Sequence, residues 1–533
     1  MGEELLTSAA KAFAGTAVAL TVTGCAVGPD FAPPGAPQVS GYTRDSLLAT
    51  ARGTDIPRGN AQAFATGRDI PGQWWRLYHS KQINALVEEA IRNHPDLKAA
   101  QAALRQAREI ALAGRGSLFP QASTSQSVKR EQISGAELGE NTPPVDFNLF
   151  NSTAAVSYVP DVFGGTARSI EATDAATETA QFQLEATYLA LTANVVTAAI
   201  NDASLVAQIK VTREIADSQR EQLKGLQVEY NLGAIGQADI ASEKAELAQT
   251  LATLPPLLKA RAQQRDQLMA YLGRFPSQDN GEAVSLDGLT LPAHLPVSVP
   301  ARLVRQRPDI RQAESRLHQA SAEVGVSLAN MLPQITLSAG GGAESLKFDQ
   351  LFNSQTLVWN LAGGVTAPLF DGGTLYHRKE AASAALDQAT QQYKSTVITA
   401  FENVADSIKA VQYDAEALKA QADAQSAADD SLKIARAEYK AGATNYITML
   451  NAEQTALAAR TGLVKAQAAR FEDTAALLQA LGGGWWNRVD ETKEAYPRPA
   501  GLADTLPVSA VKAIHARRPT PAADSNPDGN PKL

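Results

Sequence analysis

The sequence predicts a mainly α fold with a small transmembrane β part, built twice within one chain. Three observations predict it. Short motifs recur at a near-constant spacing, one helical pattern is too long for a compact domain, and several segments alternate apolar with small polar residues.

The recurrence sets the frame. His94-Pro95-Asp96-Leu97 returns as Arg307-Pro308-Asp309-Ile310, 213 residues later. Phe119-Pro120-Gln121 returns as Leu332-Pro333-Gln334, again at 213. Gly164-Gly165-Thr166 returns as Gly372-Gly373-Thr374 at 208. Leu232-Gly233-Ala234 and Tyr271-Leu272-Gly273 return as Ala441-Gly442-Ala443 and Ala480-Leu481-Gly482, both at 209. Landmarks kept in order with so small a drift mark a duplication, and a loop between Pro-Gln and Gly-Gly-Thr absorbs the drift. Residues 71–285 form the first repeat and 286–484 the second.

Ahead of the repeats, Ala12 to Gly24 is a short apolar run rich in small residues. It reads as the h-region of a signal peptide over residues 1–24, although Glu3 and Glu4 sit where positive charge is expected. The run ends Val22-Thr23-Gly24-Cys25, which resembles a bacterial lipobox. Cys25 is the only cysteine, so no intrachain disulfide can form. Its thiol is the expected site of lipid attachment, against the alternative of a free buried cysteine. Ala26 follows in place of the Asp that tends to retain such lipoproteins at the inner membrane, which favours the outer membrane. Residues 25–70, rich in Pro, Gly, Ala and Thr, read as an extended lipidated tether.

Within each repeat the order is the same. A helix runs from Pro-Asp to Pro-Gln, preceded in the first repeat by Trp74-Trp75-Arg76-Leu77-Tyr78 and a helix with Ile83, Leu86, Val87, Ala90 and Ile91 at helical spacing. Two strands joined by a polar loop follow. Leu357 to Leu369 alternates Leu, Trp, Leu, Gly, Val, Ala, Leu with Val, Asn, Ala, Gly, Thr, Pro. Ile335, Leu337 and Ala339 alternate with Gln334, Thr336 and Ser338, and Ala154, Val156 and Tyr158 share a face. Gln121 to Lys129 is polar and is the least strand-like of the four. One apolar and one small, polar face suits lipid outside and water inside; a half-buried soluble sheet is the competing reading.

Gly-Gly-Thr then opens a helix over about Arg168 to Tyr230, which at 1.5 Å per residue is roughly 95 Å long. Leu184, Tyr188, Leu191, Val195, Ala198, Asp202, Leu205, Ile209 and Thr212 step by four and three along it, the spacing of coiled-coil packing. The seam continues to Tyr230 and is interrupted by Asp202, Thr212 and Gln219. Glycine turns at Gly233 and Gly442 reverse the chain, and a return helix ends each repeat. Residues 485–533, rich in Pro, Asp and Ala, read as a disordered tail.

Four strands cannot close a barrel, and open edges are not tolerated in lipid. Other copies must supply the missing strands, and cyclic symmetry does so through identical interfaces. Closure is required; the number of copies is not set by it.

Composition excludes other classes. A net charge of −8 leaves no basic footprint for nucleic acid. The histidines His79, His94, His294, His318, His377 and His515 are scattered without metal-ligand spacing. There is no phosphate loop and no nucleophile elbow, so neither catalytic nor metal-binding residues are expected, and no cofactor beyond a covalent lipid on Cys25. A periplasmic coiled-coil adaptor or structural lipoprotein would share the long helices, but not the lipid-facing strands or the matched duplication.

Together, the Cys25 lipobox, Trp74-Trp75, the two Pro-Asp starts, the Gly-Gly-Thr motifs and the glycine tips resemble the TolC-type outer-membrane factors, closest to their lipoprotein branch with OprM-like and NodT-like members. The resemblance spans roughly residues 70 to 484. It implies a homotrimer with a 12-stranded β-barrel in the outer membrane, continued by a long periplasmic α-helical barrel. It also implies a passive exit duct for a tripartite efflux pump, docked to a periplasmic adaptor (membrane fusion) protein and an inner-membrane pump, commonly of the resistance-nodulation-division type. Similar ducts serve type I secretion.

A gate belongs at the periplasmic turns, Asn231 to Asp239 and Ala441 to Leu450. The family often carries a paired aspartate and arginine at the second turn, where this chain has Asn451 and Gln454. Hydrogen bonding with apolar closure by Tyr446, Ile447 and Leu450 is the alternative. Asp239 and Glu243 are the acidic candidates for an inner lining, with a solvated helix face as the competing reading. Gly164, Gly165, Gly372 and Gly373 are expected to turn the chain from barrel to helix.

Overall fold

The computed structural model describes residues 26–44, 50, 59–134 and 143–488. The expected signal peptide, Cys25 and the tail beyond residue 488 lie outside the described residues. The first repeat comprises β1 (Ala63–Thr66), α1 (Lys81–Asn93), α2 (Pro95–Arg115), β2 (Gln121–Ile133), β3 (Val145–Tyr158), α3 (Gly165–Asn231), α4 (Gln237–Ala252) and α5 (Leu254–Tyr271). The second comprises β4 (His294–Val297), α6 (Pro300–Gln306), α7 (Pro308–Ala329), β5 (Gln334–Ser345), β6 (Leu357–Thr366), α8 (Thr374–Lys440) and α9 (Tyr446–Ala480).

Local chemistry sets these ends. Ser80 caps α1 by accepting from the Ile83 amide at 3.2 Å. Pro95 and Pro308 start α2 and α7, where a missing N–H costs nothing. The long helices α3 and α8 are each 67 residues, about 100 Å by helical rise. Both open on a left-handed glycine, Gly164 (φ 75) and Gly373 (φ 84). The equivalent pair is therefore Gly164 and Gly373, 209 residues apart, and not Gly164 and Gly372 as motif matching suggested. A dipeptide match cannot tell which of two adjacent glycines takes the cap conformation. The starts and ends of α3 and α8, the tip-turn glycines and the bounds of the return helices now share the 209 spacing. The Asp161 carboxylate accepts from the Thr166 and Ala167 amides, and Asp371 accepts from that of Leu375, filling donors the glycine caps leave open.

The return helices differ. The second is the single 35-residue α9, whereas the first breaks between α4 and α5 at Thr253. Pro255 and Pro256 cause the break, since a proline fits the first turn of a helix but not its interior. Val464 and Lys465 stand at the matching positions in α9.

The strands form one antiparallel sheet in the order β2-β3-β5-β6, which leaves β2 and β6 as edges. The polar β2 runs further than expected because all its residues pair with β3, from Gln121↔Ser157 to Ile133↔Val145. A second, parallel pair joins β1 to β4. This corrects the expected tether boundary: residues 63–66 are strand, stitched to the start of the second repeat. Likewise Trp485–Asn487 is a 3₁₀ turn packed on the body, not tail.

Trp74, Trp75, Tyr78, Val195, Val196, Ile200 and Phe471 centre the largest core. Tyr78 Oη donates to the Phe471 carbonyl at 2.8 Å. The coiled-coil seam of α3 is buried at Leu184, Leu191, Val195, Ala198, Ile209 and Ala216. Its polar interruption Asp202 is buried as well, paired with Arg261 at 3.2 Å and Arg265 at 3.4 Å. One window of α3 is apolar enough for a membrane span, yet 61% of it is buried inside the protein.

Candidate functional site

The sheet has two chemically distinct faces. Directly paired residues share a face, and the register pairs Val156 with Ala339 and Ala339 with Leu361. One face therefore carries Ala154, Val156 and Tyr158 with Ile335, Leu337 and Ala339, then Leu357, Trp359, Leu361 and Val365. The other carries Thr153, Ser157, Gln334, Thr336, Ser338, Asn360 and Thr366, spaced by Gly340, Gly342 and Gly364. Ala122 and Val128 of β2 extend the first face, and Ser123, Ser125 and Ser127 the second. Val145, Phe147 and Leu149, near the β2–β3 hairpin, and Val358 of β6 are apolar exceptions on the polar face. Trp359 is 82% exposed, Leu361 70% and Val365 69%. So large an apolar face left open needs a nonaqueous surrounding. The strands, 10 to 14 residues long, are long enough for a tilted crossing.

Where the sheet meets the long helices, residues 26–31 lie in the groove between α3 and α7. The Val27 amide donates to the Phe163 carbonyl at 3.1 Å. Arg168, itself buried, donates to the Val27 carbonyl and pairs with Asp30 at 2.6 Å and Glu171 at 2.8 Å. Phe31 stacks on His318 with centroids 4.3 Å apart. Gly28 and Gly164 fit because a Cβ on either would strike the Cα of Gly325 or of Ala26 at 2.5 Å. The start of the expected tether is thus fastened at the sheet–helix junction.

At the far end, α3 turns into α4 and α8 into α9. Each turn closes on a left-handed glycine, Gly233 (φ 74) or Gly442 (φ 70). The Ala234 and Ala443 amides reach back to the Glu229 and Glu438 carbonyls, both at 2.9 Å, the bond pattern of a Schellman cap. Between the turns, Leu226, Ile240, Tyr446, Met449 and Leu450 form a small core. Beside it lies a buried polar network. The Tyr446 hydroxyl bonds Glu243 Oε2. Arg436 Nη2 donates to Glu453 Oε1 at 2.7 Å and to Ser218 Oγ at 2.9 Å, and Gln222 also donates to Glu453. Burial pushes the Glu243 carboxyl up to about 7, opposed by the Tyr446 hydrogen bond and raised further by Glu453 and Glu246. The same burial, together with Glu243, drives the Tyr446 hydroxyl well above its ordinary range.

The expected gate residues therefore divide. Glu243, Tyr446 and Leu450 are buried inside the tip. Ile447 is 61% exposed, Asn451 and Gln454 are exposed, and Asp239 is half-buried. Gln454 donates to Glu246. Sequence reasoning missed Arg436, Glu453, Gln222 and Ser218. The signal was available in Glu453 and Arg436, charges placed on apolar stripes of α9 and α8. Among the described residues, no group of three or more His, Cys, Asp or Glu is placed to hold a metal.

An apolar sheet face, a polar sheet face and two helix pairs packed together at their turns are the parts of a pore wall, and known proteins share the arrangement. The chain is 28% identical over 490 residues to the toluene efflux pump outer membrane protein TtgF of Pseudomonas putida, covering 88% of this chain and 96% of that protein. It is 26% identical over 473 residues to the cation efflux system protein CusC of Escherichia coli, covering 88% and 97%. The solved outer-membrane channel OprN matches with a TM-score of 0.79 at 25% identity, over 86% of this chain and 100% of that one. A family model described as outer membrane efflux protein matches residues 86–274 and 299–483, one stretch in each repeat. The chain belongs to the outer membrane efflux protein family.

Proposed function

We propose that three copies of the chain form the outer-membrane exit duct of a tripartite efflux pump, passively conducting substrates handed over by a periplasmic adaptor and an inner-membrane pump. The observation that carries this reading is the sheet with two faces and two bare edges. β2 and β6 present 13 and 10 residues of unpaired edge. Such edges are tolerated in lipid only when closed. Three copies give about twelve strands, enough for a water-filled lumen, with Ser, Thr, Asn and Gly inside and Leu, Val and Trp outside. The helices α3, α4, α5, α8 and α9 of each copy continue the wall into the periplasm.

Cys25 is the acylation site. Ala26 is held against Gly164 at the base of β3, so a lipid on the preceding residue enters the membrane where the sheet begins. The tips form the gate, and their lining falls to the exposed Ile447, Asn451 and Gln454 and the half-buried Asp239, over the buried Glu243–Tyr446 network that sets helix spacing. The protein acts by conduction and needs no cofactor besides its lipid. The TtgF and CusC names point to toluene and to cations, so cargo differs among relatives with this architecture.

Insertion of the purified full chain into planar bilayers tests the reading. Discrete, long-lived conductance steps are expected, small while the tips are closed. Protein that inserts but gives no steps under any condition would refute it.

A further inference from the structure

The seam between α8 and α9 differs from its counterpart in the first repeat at three neighbouring positions. Asp414 of α8 and Glu472 and Asp473 of α9 are acids, whereas the residues 209 earlier are Leu205, Gln263 and Gln264. The three acids lie at the rim of an apolar stretch. Val411 and Ala415 beside Asp414, and Phe471 and Ala475 beside the other two, are fully buried, and the acids themselves are half-buried. Asp414 and Asp473 share a side-chain hydrogen bond across the seam, and the buried Oδ2 of Asp414 finds no donor among the described residues. Two ionised carboxylates offer only acceptors, so this contact is a bond only while one of them keeps a proton.

We propose that Asp414 and Asp473 form a proton-operated clasp between α8 and α9: one proton shared by the two carboxyls joins the helices, and its loss sets like charges against each other and loosens the second helix pair. The surroundings hold that proton in place. Burial, then the hydrogen bond and the charge of Asp473, push the Asp414 carboxyl up to about 7, against the pull of Arg470. Glu472 is raised to about 7 as well, by burial and by the charges of Asp473 and Asp414. Arg470 does not neutralise the group, because its Nη2 is directed at the Asn60 carbonyl at 2.6 Å and the Thr50 hydroxyl at 3.3 Å. Tyr78, which bears on Glu472, is kept protonated by burial and donates to the Phe471 carbonyl at 2.8 Å. Asp414 is raised from 3.8, so the clasp contributes fully below that value and is lost as the pH rises through about 7. Leu205, Gln263 and Gln264 do not titrate, so the matching seam of the first repeat is indifferent to the same change.

Hydrogen exchange of the purified full chain in detergent, corrected for intrinsic rates, tests the clasp. Amides of residues 408–418 and 468–478 should be about tenfold better protected near pH 6 than near pH 8, with those of residues 199–209 and 259–269 unchanged. Asp414→Asn supplies Asp473 with a permanent donor and should hold the seam at its pH 6 protection throughout. Asp414→Leu, which carries the residue of the first repeat, should abolish the pH response even where protection is lower. No difference between pH 6 and pH 8 in the unaltered chain overturns the clasp. An equal change in both repeats marks a global effect and overturns it as well. So does a response that survives both Asp414 substitutions, or one that vanishes only in Glu472→Gln.

Discussion

The first repeat is finished within the chain; the second is not. Along α3, Leu189 is buried beside the segment around Gly483, whose added Cβ would strike Leu189 Cδ1 at 2.2 Å. Along α8 its equivalent Ile398 is open. The seams differ in chemistry too. Asp202 of α3, locked between Arg261 and Arg265, becomes Val411 in α8, fully buried and apolar. Arg261 has its counterpart in Arg470, but that guanidinium turns to the Asn60 carbonyl at 2.6 Å and Thr50 Oγ1 at 3.3 Å. A duplicated backbone thus tolerates either an ion pair or an apolar contact in its core, provided each is complete.

Breaking the ion pair should have the largest effect. Arg265→Ala strips Asp279 of its arginine partner and leaves Asp202 with Arg261 alone, and removing one partner of a buried pair costs about 3–5 kcal/mol. Denaturant unfolding of the detergent-solubilised protein measures it. Importing the second repeat's solution, Asp202→Val with Arg265→Thr, should recover a large share of the loss. Failure to recover would mean that the two seams are not interchangeable.

Next in size is the matched pair of apolar truncations. Leu189→Ala should cost about 2–5 kcal/mol of chain stability, as for a filled core site. Ile398→Ala should leave chain stability within about 0.5 kcal/mol and instead lower the dissociation temperature of the assembled particle. Equal effects on chain stability would erase the distinction between the repeats.

A smaller effect separates the tips. The position of Glu243 is held by Ala452 in the second repeat. With its carboxyl raised from 4.5 to about 7, the folded tip keeps a proton that the unfolded chain has released. The stability this contributes is complete below 4.5 and is lost as the pH rises through about 7. Hydrogen exchange of the amides around Leu226 and Met449 should therefore be better protected near pH 6 than pH 8 after correction for intrinsic rates, and Glu243→Gln should flatten the difference. An unchanged pH response in the glutamine variant would place the titrating group elsewhere, with Asp414 and Glu472, both also raised to about 7 by burial, the next to examine.

The smallest expected change is at the surface of the second tip. Ile447→Ala should raise single-channel conductance modestly and leave stability unchanged, because the side chain contributes little to the folded chain. Tyr446→Ala should instead loosen the tip, since Tyr446 is part of its core.

The legibility of the sequence follows the same division. The duplication, the span of α3 to within three residues at either end, and the alternation of β5 and β6 were readable because they depend on period and spacing. The polar β2 was not, since its pairing comes from β3 and not from its own residues. β1 was hidden because four residues in a Pro- and Gly-rich stretch become a strand only when β4 lies beside them. At the tip, sequence placed Tyr446, Leu450 and Glu243 near the turn, but periodicity cannot say whether a stripe faces a neighbouring helix or a lumen. The cap register slipped for a related reason, because Gly372 and Gly373 are alike in composition and differ only in which one the helix uses.

The central claim is that one chain is an incomplete fraction of a closed wall. Native mass measurement of the purified full chain in detergent tests it most directly. Particles of three chains, with no folded monomer, are predicted. A stable, folded monomer with its β2 and β6 edges open would contradict it.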